Sequence, residues 1–186
     1  MRWAYKLSPE TINTPATDEV PEIEVIQVEA SGSELDHAVL TAIDQAIPNP
    51  TIHEIYVAGQ VRQSAAYKRT SESDRNAWVT SHYVTSAWQS TDTDRSPLPV
   101  SLNLGILYAN LLRAMIDVPA REGESLREHV ERHGQILIHR REAARITQRI
   151  NTEKQFNRRV ELNSHVRSIN QRIHQLSQRT SQEADA

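Results

Sequence analysis

Lys68 is the residue on which any catalytic reading depends. It closes the run Ser64-Ala65-Ala66-Tyr67-Lys68. A metal-dependent nuclease of the restriction-endonuclease type needs an acid on one strand and an acid-x-Lys on the next. Two carboxylates then hold Mg²⁺, and the lysine sits beside the attacking water. Glu54 can supply the first acid. The position two before Lys68 is Ala66, which binds no metal, and Gln63 falls on the opposite strand face from Lys68. The expectation is therefore no catalytic residue, with a degenerate restriction-endonuclease-like domain as an alternative.

Other chemistries fare no better. His129 and His133 have the i, i+4 spacing of zinc ligands. The residue after the first histidine is Val130, where a zinc peptidase needs glutamate, and no third ligand is apparent. An exposed helical pair and no metal site are expected. The five glycines form no phosphate-cradling loop, and no Ser-His-Asp arrangement stands out. No cofactor is called for.

Cations are the remaining candidates. Lys68 and Arg69, with Arg62 on the same strand face as Lys68, are candidate phosphate contacts. Further on, Arg140, Arg141, Arg145 and Arg149 bracket a ridge, followed by Lys154, Arg158 and Arg159. A ridge that tracks nucleic acid would bind with a steep salt dependence. The plainer alternatives are strand cations that discourage edge pairing and helix arginines paired with glutamates. No Tyr or Trp follows Tyr108, which argues against binding single strands by stacking.

These side chains need elements to hold them. Trp3, Tyr5 and Leu7 alternate as in a short strand that Pro9 breaks. Residues 22–30 are β-branched and strand-like. Ser33 is the expected N-cap of a helix, with Leu35, Ala38, Val39, Ala42, Ile43, Ala46 and Ile47 on one face and Pro48 as its stop. Residues 52–69 read as a hairpin turning at Gly59-Gln60, or through a longer loop from Ala58. A polar loop over 70–76 and a β-prone stretch over 78–88 follow. A second helix over 102–116 presents Leu104, Leu107, Tyr108, Leu111 and Met115.

Residues 1–120 thus read as an α+β body, a small, largely antiparallel sheet with two packed helices. Residues 121–186 read as a helical, coiled-coil-like arm. Leu126, Val130, Leu137 and Ala144 keep one rough heptad beat, and Leu162, Val166, Ile169, Ile173 and Leu176 keep another. The two registers do not join across 151–160, which favours a helical hairpin over one rod. The tail, 177–186, is expected to fray. The second seam is a candidate partner interface or homodimer contact.

Charge divides the same way. Residues 1–120 hold 8 Lys+Arg against 15 Asp+Glu, and residues 121–186 hold 13 against 9. An acidic body with a basic arm suggests an acidic or polyanionic partner for the arm, DNA among them, or a solvated helical face. With no cysteine, no signal-peptide pattern at the start and no membrane-length apolar run, a cytoplasmic protein is expected.

Several stretches resemble a bacterial family of unknown function found in phage-defence and restriction-type gene neighbourhoods. They are Trp3-Ala4-Tyr5-Lys6-Leu7-Ser8-Pro9-Glu10-Thr11-Ile12-Asn13, Ala46-Ile47-Pro48-Asn49-Pro50, Ala66-Tyr67-Lys68-Arg69, and Glu153-Lys154-Gln155-Phe156-Asn157-Arg158-Arg159-Val160-Glu161-Leu162-Asn163. The resemblance implies a helicase or DNA methyltransferase as partner and assigns no catalytic residue. It also implies a further N-terminal segment, so this chain is expected to be a shorter member or a late-started gene. The resulting expectation is a non-enzymatic accessory subunit of a DNA-defence or restriction-like complex. A nucleic-acid-binding module using the basic arm is the alternative.

Overall fold

The computed structural model describes residues 1–30, 35–70 and 78–178. The chain divides into two compact units, Met1–Asp117 and Val118–Ala186.

In the first unit, β1 (Arg2–Leu7) and the one-turn α1 (Pro9–Ile12) lead to β2 (Ile23–Glu29). Then come α2 (His37–Ala46), β3 (Thr51–Val57), β4 (Gln60–Thr70), β5 (Trp78–Thr85), the two-residue β6 (Gln89–Ser90) and α3 (Leu104–Met115). The strands pair in the order β1-β2-β3-β4-β5, with β6 beside β4. Every pairing is antiparallel except β2 with β3, where α2 makes the crossover that a parallel pair needs. The unit is an α+β body on a mixed, mostly antiparallel sheet.

Three local readings change. The hairpin turns at Ala58-Gly59, with Val57 opposite Gln60. Both turn residues have positive φ, 46° and 78°, as in the tight turn whose twist matches the flanking strands. Helix α2 starts at His37 with Asp36 as N-cap, its carboxylate accepting from the Ala38 N–H at 2.9 Å. The expected cap, Ser33, and most of the polar loop over 70–76 lie outside the described residues. In the stripe of α3, Leu112, fully buried, takes the place of Leu111.

The face that α2 buries also differs from the expected one. Ala38, Val39, Ala42 and Ala46 are exposed. Leu40, Ile43 and Asp44 point inward, and Ile43 joins Ile26 and Val28 in a core edged by Leu35 and Ile47. A carboxylate therefore sits on a helix face that packs on the sheet, and it needs polar partners there.

The second unit is a pair of helices, α4 (Leu126–Thr152) and α5 (Phe156–Ser177). Ser125 and Glu128 form a capping box at the start of α4. Three residues, 153–155, make the bend, and the helices pack on each other. Ile146, Leu162 and Ile169 form the buried centre of that contact, edged by Ala143, Ile150, Val166 and Ile173. Residues 179–186 of the tail lie outside the described residues.

Candidate functional site

Asp44 is the centre of a buried polar cluster. Its Oδ1 lies 3.0 Å from Lys68 Nζ, and its Oδ2 lies 3.3 Å from His53 Nε2 and also accepts from the Tyr83 hydroxyl. The Lys68 contact is off hydrogen-bond direction, so it is chiefly ionic. Lys68 directs its hydrogen bonds elsewhere, to Ile47 O at 2.8 Å, Asn49 O at 3.0 Å and Thr51 Oγ1 at 3.3 Å. Ile47 is the C-cap of α2, so the ammonium also meets the negative end of that helix.

Burial pushes the Asp44 pKa up, but hydrogen bonds from His53 and Tyr83 and the charges of His53 and Lys68 outweigh it. The carboxyl ends below its ordinary value. Burial pushes Lys68 below its ordinary value, partly offset by Asp44. Burial, with the Asp44 charge and hydrogen bond, pushes Tyr83 well above the usual phenol range.

These are acid–base groups without access to a substrate. The side chains of His53 and Lys68 are 0% exposed and that of Asp44 is 2% exposed. Ser64, directly across from His53 in the β3–β4 pair, uses its hydroxyl on Val84 O and Thr85. The expectation that Lys68 contacts phosphate is corrected by its burial, since its ammonium is enclosed and neutralised. The sequence reading missed this cluster, because Asp44 falls outside the face of α2 that was expected to be buried.

A second polar cluster occupies the other face of the sheet. Glu54 is 2% exposed and receives Arg95 through both oxygens, at 2.6 and 2.9 Å. Gln27 and the Tyr56 hydroxyl each donate to it at 3.1 Å. Arg95 also donates to the Tyr5 hydroxyl at 2.9 Å. Burial raises the Glu54 pKa, and these bonds and the Arg95 charge bring it below the ordinary value. Glu54 pairs across the ladder with Gln63, one strand face away from Lys68. The acid and the lysine of the nuclease pattern thus lie on opposite faces of the sheet. Arg95, in the loop between β6 and α3, anchors that loop to β3.

The remaining sheet cations are engaged as well. Arg62 lies 4.4 Å from the centre of the Trp88 ring, a cation–π contact. Arg69 is half-buried and makes an interaction of its own. Arg62, Lys68 and Arg69 do not form one basic contact surface.

The helical pair corrects two further expectations. The seam Leu162, Val166, Ile169, Ile173 and Leu176 faces inward, four of the five packing in the α4–α5 core. It is occupied within the chain and does not present a free face to a partner or a second copy. The histidine pair is also inside. His129 and His133 are 1% and 5% exposed, and His129 Nε2 donates to Val118 O at 2.7 Å. Between them Arg132 binds Glu124 at 2.6 and 2.8 Å, Pro119 O at 2.9 Å and Leu176 O at 2.8 Å. Arg121 donates to the carbonyls of Gln175, Leu176 and Gln178. Two guanidiniums therefore satisfy the last carbonyls of α5, groups that lack partners within the helix.

What stays on the surface is the cationic series. Arg140, Arg141, Arg145, Arg149, Lys154, Arg158 and Arg159 are all exposed. The carboxylates among them are used locally. Glu142 lies 3.8 Å from His139 and 3.9 Å from His165, Glu153 accepts the Gln155 N–H at 2.9 Å, and Glu161 pairs with Arg158 at 2.7 Å. Arg141, Arg145, Arg149, Lys154 and Arg159 have no ion-pair partner among the described residues. Arg149, Lys154 and Arg159 lie near the bend, Arg149 three residues from the end of α4, about 4.5 Å along its axis, and Arg145 and Arg141 follow back along α4 at i, i+4 spacing. Among the described residues no three His, Asp or Glu side chains come together to hold a metal.

A family described as a domain of unknown function matches residues 1–173. No curated protein and no solved structure matches the chain.

Proposed function

The chain belongs to the DUF4391 family, whose function is undefined, and we propose that it is a non-enzymatic accessory subunit that brings a DNA-acting partner to nucleic acid. In this reading the basic bend of the α4–α5 pair contacts the phosphate backbone. The α+β body docks the partner, a helicase or a DNA methyltransferase of a bacterial defence or restriction-like system. The partner class comes from the family resemblance.

One observation supports the reading above others. Seven exposed cations lie between residues 140 and 159, and five of them have no ion-pair partner among the described residues. Such a surface attracts a polyanion through counterion release. The enclosed Lys68, set one sheet face away from Glu54, weighs against hydrolysis.

Titration of the full chain with labelled DNA tests the nucleic-acid part. Five phosphate contacts should weaken binding about 100-fold or more between roughly 50 and 200 mM salt. Replacing Arg141, Arg145 and Arg149 together by alanine should lower both the affinity and the salt slope. No affinity at low salt would remove this part. The partner part predicts that deleting residues 124–186 leaves co-purification with the helicase or methyltransferase from nuclease-treated extract intact while DNA binding is lost, and loss of co-purification would count against docking by the body.

A further inference from the structure

We infer that the nucleic acid taken by this bend is single-stranded, and that Phe156 is the platform on which a base stacks. The inference rests on the preceding reading of the basic bend and deepens it. Phe156, the only phenylalanine of the chain, supplies the stacking face that the lack of Tyr and Trp beyond Tyr108 argued against. It opens α5 directly after the bend and is 76% exposed. An aromatic ring is normally the first side chain a small protein buries, and this one lies outside the α4–α5 core.

Its neighbours are cations. Lys154 lies two residues before it, and Arg158 and Arg159 lie two and three residues after it. On a helix the i+3 and i+4 positions share a face, so Arg159 and Val160 flank Phe156. Val160 is itself 52% exposed. Gln155, the N-cap, makes no side-chain cap bond, so the first N–H groups of α5 stay open beside the ring.

A duplex offers phosphates to such a surface but keeps its base faces stacked on one another. A single strand offers both, the phosphates to the cations and a base face to the ring. Pairing an exposed phenyl ring with the unpaired cations Lys154 and Arg159 therefore favours the single strand. Guanidiniums beside the ring can add stacking of their own.

The test uses the full chain and labelled strands of equal length, namely oligo-dT, oligo-U, an abasic strand and a DNA duplex. Each is titrated into wild type, Phe156→Ala, Phe156→Leu and Phe156→Trp. Because Phe156 is exposed, these variants should keep the helical circular-dichroism signal and melting temperature. Oligo-dT or oligo-U should bind more tightly than duplex or abasic strand. Phe156→Ala should weaken that binding about tenfold, leave the salt slope and the abasic affinity unchanged, and be rescued by Trp but not by Leu. Equal binding of strand and duplex, or a Phe156→Ala variant that binds oligo-dT and oligo-U as wild type does, overturns the stacking inference and leaves the basic-bend reading standing. An equal loss on every strand, the abasic one included, overturns it too. No binding of any strand at low salt overturns both, and would leave Phe156 and Val160 as a surface for a protein.

Discussion

Asp44 and Lys68 show how much a single side chain's meaning depends on its enclosure. In the sequence, Lys68 has the spacing of a nuclease lysine. In the fold its ammonium joins the last turn of α2 and the start of β3 to β4 through Asp44, Ile47 O, Asn49 O and Thr51 Oγ1. Truncating one member of a buried ion pair leaves the other uncompensated, so Lys68→Ala should destabilise the chain by about 3–5 kcal/mol. Urea unfolding of the variant measures this. A change below about 1 kcal/mol would mean that water reaches Asp44. The Tyr83→Phe change removes one donor to the same carboxylate and should cost less, about 1–3 kcal/mol. Nothing near Lys68 in the sequence shows this enclosure. The partner is a carboxylate 24 residues earlier, outside the helix face expected to be buried.

At the scale of elements, periodicity was legible and turn geometry was less so. The strand alternation around β3 and β4 is plain in the residues, yet the turn between them sits one position earlier than Gly59-Gln60. Ala58 therefore takes a left-handed conformation that an L-residue adopts at a cost of about 1–2 kcal/mol. The Ala58→Gly variant should stabilise the protein by roughly 1 kcal/mol, because relief of that strain is partly offset by the extra freedom of the unfolded glycine. A raised urea midpoint with an unchanged m-value would show it. In α5, the heptad seam was readable as a seam, but heptad spacing does not say whose helix fills it. Ile146 and Ala143 of the same chain do. Arg132, which precedes His133 in sequence and has no periodicity to mark it, holds the end of α5. The Arg132→Ala variant should lower the thermal midpoint and the helical signal together, whereas Arg132→Lys recovers only part because it loses the planar fork.

At the scale of the molecule, charge is distributed unevenly and so is its burial. Asp44, Glu54 and Glu124 all ionise below their ordinary values. For Glu124, burial acts upward, but the Arg132 hydrogen bonds and charge and the Arg121 backbone N–H bring it from 4.5 down to about 2. A carboxylate with a depressed folded pKa gives stability that is fully present above its unfolded value and lost as pH falls through the folded one. Urea midpoints should therefore hold steady from about pH 7 to pH 5 and fall steadily below about pH 4.5. The Glu124→Gln variant should start lower at neutral pH and fall less steeply in acid. A wild-type profile flat to pH 3 would contradict these ionisations.

The sequence by itself determined the element types, the acidic body and basic arm, the broken nuclease pattern and the exposed position of the arm's cations. Each follows from local spacing or from summed charge, which need no knowledge of what packs where. Only the tertiary structure decided which polar residues are enclosed. Asp44, His53, Lys68 and Tyr83 come from four different elements, and they form a unit only because α2 lies on the sheet. The structure likewise turned Leu162–Leu176 inward and left Phe156 outside. Heptad spacing marks an apolar stripe, and a residue just past a bend belongs to no stripe until the two helices are placed side by side.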